Sequence, residues 1–317
     1  MVYFQVLIKA FLTFTLLFLL SACSGKQIYH TAIDYGRYKA DLEVKQIAIS
    51  DDLNMTYLEN KTKSDTTLVL VHGFSASKDH WLRLADEIGD DYHLIIPDLI
   101  GHGSSSKPKD ISYSLQNQTL LLHQFLQKMS LKKSLLIGNS MGGALSLLYA
   151  SEYKNIEALI LIDSFGIKVQ DSYVDKMGVS KVKQTWLHVC TKEKFEALIS
   201  QGMVNPPYVP DSVLEYLTAR KCLASDFEEK RYYDILNQDL QPLDDLSQEA
   251  QTIDVQTLIL WGKEDKVLSY KNAYAFEKSI KNSRVIILDN LGHVPMVEDA
   301  PRVASEIIKF LKTTHIE

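Results

Sequence analysis

The chain predicts an α/β protein: a mostly parallel sheet flanked by helices on both sides, with a helical segment inserted late in the alternation. Three observations predict it. Six short apolar runs, Thr67–Val71, His93–Ile96, Ser134–Ile137, Ala158–Ile162, Thr257–Trp261 and Val285–Leu288, lack the polar alternation of a strand with one wet face. Continuous apolar strands are buried on both faces, as in parallel sheets covered by helices. The first five begin, but for one long interval, about 25–40 residues apart, which suits strand–helix–strand crossovers. Finally, Gly138-Asn139-Ser140-Met141-Gly142 joins the third run to a helix-like segment, Gly143–Ala150. A serine standing exposed at a strand end needs a tight, strained turn, and glycines on its flanks remove side chains that would clash there.

The elements follow in order. Residues 1–22 carry one charge, Lys9, and then the apolar run Ala10–Leu20. About eleven apolar-dominated residues is the length of a signal peptide, although counting back to Val2 gives about nineteen and leaves an uncleaved anchor open. Leu20-Ser21-Ala22-Cys23 resembles the bacterial lipobox. That resemblance implies cleavage before Cys23, acylation of its thiol and, with Ser24 following, sorting to the outer membrane. Residues 23–42 are polar with scattered tyrosines and read as a tether reaching at most roughly 60 Å. Glu43–Ile49 and Met55–Glu59 are expected as a strand pair turning at Ser50-Asp51-Asp52. The core is expected over 43–165 and 254–317. Between them, 166–253 is helix-like and aromatic-rich, broken at Asn205-Pro206-Pro207. It leaves the sheet at the C-terminal end of a strand, where open α/β sheets bind ligands, and reads as a cap.

Loss of the first 22 of 317 residues would leave 295, enough for one large α/β domain with an insertion. A net charge of −6 offers no basic footprint for nucleic acid. Beyond Cys23 only Cys190 and Cys222 remain, at a spacing that matches no metal site. Two separate buried thiols are expected, although an oxidising envelope compartment would permit a bridge.

Serine is a weak nucleophile until a base takes its proton, and the base needs an orienting partner. In this strand–turn–helix context the acid and then the histidine follow the serine in the chain. Of the later histidines, His188 lies in the expected cap and His315 in the tail. His293 lies in Gly292-His293-Val294-Pro295, directly after the last strand, and is the expected base. Asp265, in Gly262-Lys263-Glu264-Asp265 after another strand, is the expected acid, with Glu264 and Asp163 as competitors. The oxyanion of acyl transfer needs backbone donors. The N–H of Met141 and that of Phe74, in His72-Gly73-Phe74-Ser75, are expected to supply them. His72 and His102 precede Ser140 and are expected to hold loops.

Together His72-Gly73-Phe74, Asp98-x-x-Gly101-His102-Gly103-x-Ser105, Gly138-x-Ser140-x-Gly142-Gly143, Trp261-Gly262-x-x-Asp265 and Gly292-His293 resemble the α/β-hydrolase superfamily over roughly Glu43 to Leu311. Within it, His72–Trp81 and the last helix resemble the monoacylglycerol-lipase branch and similar bacterial lipases and esterases. The resemblance implies an eight-stranded sheet, a helical cap between strands 6 and 7, and the triad Ser140, Asp265 and His293. The expected reaction is hydrolysis of lipid-like carboxylic esters through an acyl-enzyme, needing neither metal nor cofactor. No obligate protein partner is expected. Asn139 before the nucleophile also occurs in hydrolases that cleave carbon–carbon bonds of vinylogous diketones with the same triad, so that reaction is the alternative. A non-catalytic lipoprotein scaffold would be expected to lack a triad member, and all three candidates are present.

Overall fold

The computed structural model describes residues 24–131, 134–169, 182–236 and 245–314. The proposed leader and Cys23 therefore lie outside the described residues, as does His315. Eight strands form one sheet: β1 Leu42–Ala48, β2 Asn54–Asn60, β3 Thr67–Val71, β4 His93–Pro97, β5 Ser134–Asn139, β6 Ala158–Ile162, β7 Gln256–Gly262 and β8 Ser283–Leu288. Their order across the sheet is β1-β2-β4-β3-β5-β6-β7-β8. β2 runs antiparallel to both β1 and β4, and every other pairing is parallel. The six apolar runs are the parallel strands β3 to β8, and the count of eight is the one the family resemblance implied.

Alternate side chains of each central strand enter two different cores. Val69, Val71, Leu136, Leu159, Leu161 and Trp261 point to one side. Leu68, Leu70, Leu135, Ile160, Leu258 and Leu260 point to the other. Each such side chain withdrawn from water contributes roughly 1.5–3 kcal/mol, so both faces must be covered. On the first face lie α3 (Leu115–Met129), α4 (Met141–Tyr153) and α9 (Asn272–Ser279). The second carries α2 (Leu82–Ile88) and α11 (Ala300–Thr313). In α11, Ala300, Val303, Ala304, Ile307, Phe310 and Leu311 recur at helical spacing and are all buried.

Between β6 and β7 the chain leaves the sheet. A π-type turn, Lys183–Leu187, precedes α5 (Lys192–Gly202), α6 (Asp211–Leu223), α7 (Ser225–Leu236) and α8 (Ser247–Gln251). The neck of this excursion is closed where Leu246 N–H donates to Gly166 O and Ile167 bridges Asp245. Cys190 and Cys222 form a disulfide, with Cα atoms 4.6 Å apart. That corrects the expectation of separate thiols. The two lie 32 residues apart, and only the fold brings the segment before α5 against the end of α6.

The segment read as a tether also differs. Residues Gly25–Lys39 form a helix, α1. Ser24 Oγ accepts from Gln27 N–H while the Gln27 side chain accepts from Ser24 N–H, a reciprocal cap. At 1.5 Å per residue, fifteen helical residues span about 22 Å, far short of an extended chain. The helix is held along its length. Gly25 abuts the Ser212 backbone of α6, where a Cβ would lie 1.8 Å from the carbonyl oxygen. His30 Nε2 lies 3.2 Å from the Tyr216 hydroxyl. Arg37 forks onto Asp79 through Nε and Nη2 at 3.0 and 2.9 Å, and Lys39 pairs with Asp86. One face of α1 thus bridges the insertion and the core.

Candidate active site

The candidate residues come from five loops at the C-terminal ends of parallel strands. After β5 comes Ser140, with φ 54° and ψ −120°. For a non-glycine residue this is strained backbone, costing of order 1–3 kcal/mol. Neighbours hold it there. Ser140 N–H donates to Ile162 O at 3.1 Å, and Ser140 O accepts the N–H groups of Gly143, Ala144 and Phe165 at 2.9–3.2 Å. Gly142 is required by close approach: a Cβ there would lie 2.1 Å from Val71 O and 2.6 Å from His72 O. The loop after β3 rests on the serine in the same way, since a Cβ on Gly73 would meet that of Ser140 at 3.2 Å. This places the Phe74 segment beside the elbow. Met141, the other expected oxyanion donor, is the first residue of α4.

His293, after β8, has its Nδ1 2.8 Å from Asp265 Oδ2. A carboxylate accepts only, so Nδ1 carries the hydrogen and Nε2 keeps a free lone pair, the tautomer a general base requires. Asp265 is oriented in turn, its Oδ1 accepting the N–H groups of Val267 and Leu268 at 2.7 and 2.9 Å. The competing acids fall elsewhere. Glu264 makes no contact of this kind with His293; its N–H donates to Leu291 O, tying the acid loop to the histidine loop. Asp163, after β6, is fully buried, and its Oδ1 accepts Gly262 N–H at 2.9 Å. One ligating atom each from Asp163, Asp265 and His293 lies within 4.8 Å of the others. Burial, and then the charge of Asp265, hold the Asp163 carboxyl well above the usual range. Both effects favour the neutral form of this carboxyl over its charged one.

His72 and His102 are placed as the loop reading expected, and His188 lies within the insertion. His72 Nδ1 donates to Gly73 O at 2.8 Å and Nε2 accepts Leu99 N–H at 3.1 Å, so the ring ties two loops. Burial pulls its pKa down to about 4. His102 is likewise buried and held well below its ordinary value, chiefly by desolvation, with Nδ1 3.3 Å from Ile100 O. His188 pairs with Glu229 within the insertion at 2.6 Å.

The roles of three positions emerged only from the structure. Asn139 Nδ2 donates to both Ile162 O and His293 O, each at 3.1 Å, so the residue before the serine holds the backbone of the histidine. Asp98 accepts from Lys78 N–H, Lys78 Nζ and Ser104 N–H at 2.7–2.8 Å. Burial alone would raise its carboxyl, but the adjacent Lys78 ammonium more than offsets this and lowers it. Ser75 Oγ donates to Glu228 Oε1 at 2.8 Å and accepts from Lys221 Nζ at 2.7 Å, pinning the loop after β3 to α6 and α7. Asn139 and Asp98 stand inside quoted motifs. Nothing local marks Lys221 or Glu228, whose partner is 146 or 153 residues away.

Comparison with known proteins agrees with this architecture. The model of the α/β-hydrolase-fold family matches residues 66–300, and the chain belongs to that family. It is 34% identical over 283 residues to Lipase 3 of Moraxella sp. (strain TA144), covering 88% of this chain and 87% of that protein. Monoacylglycerol lipase ABHD6 of Homo sapiens is 28% identical over 313 residues, covering 96% of this chain and 91% of its own. Among solved structures, a membrane phospholipase A described as a bacterial virulence factor superposes with a TM-score of 0.85 at 30% identity, covering 99% of each chain.

Proposed function

We propose that Ser140, His293 and Asp265 hydrolyse carboxylic esters of lipid-like substrates through an acyl-enzyme. Membership of the family, together with lipase relatives at this identity, makes the chain a carboxylic-ester hydrolase of the lipase and esterase class. The observation that carries the residue assignment is the hydrogen bond from His293 to Asp265, set beside a serine held in a strained elbow. In the first half-reaction Ser140 Oγ attacks the ester carbonyl carbon while His293 Nε2 takes its proton. The N–H groups of Phe74 and Met141 hold the oxyanion; such a donor, when lost, costs roughly 3–4 kcal/mol. Collapse expels the alcohol, which takes the proton from His293. Water then repeats the sequence on the acyl-enzyme and releases the acid. Asp265 keeps the imidazole oriented and balances its charge throughout.

Monoacylglycerols and short-to-medium acyl esters are the proposed substrates. The proposed site of action is the bacterial cell envelope, with the chain anchored by a lipid on Cys23, at the outer membrane and facing the periplasm. Two things support this reading: the leader with its lipobox-like end, and a first helix that begins immediately after it. The carbon–carbon alternative rested on Asn139, which here has a structural use in holding the His293 backbone.

The test is an acyl-length and head-group series, including monoacylglycerols, p-nitrophenyl esters and phospholipids, run beside Ser140→Ala. Equal turnover by both proteins would overturn the assignment of Ser140, and turnover confined to vinylogous diketones would replace the ester reading. Palmitate labelling lost in Cys23→Ala supports the anchor; labelling that persists removes it.

A further inference from the structure

His293 is held by its own peptide group from two sides, and one of them belongs to the insertion. Its carbonyl accepts from Asn139, beside the nucleophile. Its N–H donates to Gly202 O, the last residue of α5, at 2.8 Å. The turn that follows α5 is bound to the same loop. Glu298 Oε1 accepts Gly292 N–H at 2.8 Å, while Oε2 accepts the N–H groups of Val204 and Asn205 at 2.7 and 2.8 Å. Asn205 Nδ2 donates to Asn290 O at 2.9 Å. The two backbones approach so closely that a Cβ on Gly292 would lie 2.7 Å from Gly202 O and 3.1 Å from Met203 Cα.

We propose that Glu298 is a positioning residue: its carboxylate clamps the turn after α5 to the loop carrying the base, and so sets where His293 stands. The inference rests on His293 being that base. The physical argument is one of geometry. A carboxylate taking three backbone N–H groups forms strong, charge-assisted bonds, and here they come from two segments some ninety residues apart in the chain. Without the clamp, Asn139 and the acid loop still hold the far side of the histidine loop, so the loop persists but its near side loosens. A base displaced by a fraction of an ångström loses catalysis more than binding.

The test uses the full-length protein in detergent with p-nitrophenyl butyrate, and compares Glu298→Ala with Glu298→Gln. For Glu298→Ala, kcat is expected to fall about 30-fold with KM within about twofold. Glu298→Gln keeps one carbonyl acceptor but turns an NH2 donor toward the other backbone N–H groups, and kcat is expected to fall by an intermediate factor, about fivefold. The rate at which a fluorophosphonate labels Ser140 should fall in the same order. Variants with a lowered melting temperature but unchanged kcat and labelling rate per folded molecule would overturn the proposal, leaving a staple only. Should Glu298→Ala fail to fold, an unchanged kcat and labelling rate in Glu298→Gln would overturn it equally. A wild type inert to ester and probe alike would instead sink the hydrolase reading beneath it.

Discussion

Ser140 occupies a backbone conformation that glycine tolerates and serine does not. Replacing it with glycine should therefore relax the elbow while removing the nucleophile. Ser140→Gly is expected to raise stability by about 1 kcal/mol, the lower end of what such strain costs, with no ester turnover. Thermal unfolding beside an activity assay checks it, and a variant less stable than wild type would refute stored strain at this position. Asp163 supports a second prediction, with the sign set by its raised pKa. The unfolded chain loses this proton near pH 4, whereas the native protein holds it to a higher pH. The unfolded state is thus favoured progressively as pH rises above that value, and the contribution is lost through the folded pKa. Asparagine cannot ionise. The melting temperature of Asp163→Asn relative to wild type should therefore increase between pH 4.5 and 7.5. A gap that stays constant would mean that Asp163 is charged in the native state. His72 has the opposite sign: its pKa of about 4 lies below that of an unfolded histidine. Its contribution is present above about pH 6.5 and is lost as pH falls toward 4.

Among the elements, the turn from β5 into α4 tolerates least. At Gly142 a Cβ would meet two backbone oxygens within 2.6 Å, and backbone cannot step aside as a side-chain end can. Gly142→Ala should cost at least about 2–3 kcal/mol and lower kcat by shifting Ser140 against the Phe74 segment; denaturant unfolding and steady-state kinetics measure the two effects. Helix α1 teaches a different lesson. Its polar, tyrosine-bearing sequence resembles a linker because most of its ties are polar, to Asp79, Asp86 and Tyr216, with Ile33 the residue that packs against the apolar core. Periodicity detects helices that bury an apolar stripe, as α11 does. It is nearly blind to one held by ion pairs and glycine contacts, and none of the residues of α1 is fully buried.

At the scale of the molecule, the insertion grips the catalytic edge at two points. Lys221 and Glu228 hold Ser75 on the loop after β3, while Gly202, Val204 and Asn205 hold the His293 loop, partly through Glu298. The Cys190–Cys222 bridge ties the segment before α5 to the end of α6, next to Lys221 in the chain. Closing a loop of this size stabilises by about 3–4 kcal/mol in the chain-entropy account. Cys190→Ser with Cys222→Ser is accordingly expected to lower the melting temperature by several degrees. It should also slow ester turnover, since both loops lean on α5 and α6. Calorimetry and kinetics on the double variant test this, and unchanged values for both would show that the bridge is dispensable.

What the sequence determined by itself was the sheet and its order of chemistry. Six uninterrupted apolar runs pointed to strands of a covered parallel sheet, as five of them are, the edge strand β8 being half-buried, and the Gly-x-Ser-x-Gly turn named its serine because the strain there demands small neighbours. The choice of Asp265 over Glu264 and Asp163 as the partner of His293 was only weighted by the sequence, and only geometry brings Asp265 Oδ2 to His293 Nδ1. Tertiary structure alone decided the disulfide, the docking of α1, the raised pKa of Asp163 and the hydrogen bonds gathered at Glu298. Each joins residues from distant parts of the chain or depends on how deeply a group is buried. Local pattern records what a residue does for its own strand or helix, and it is silent on partners that only folding brings within 3 Å.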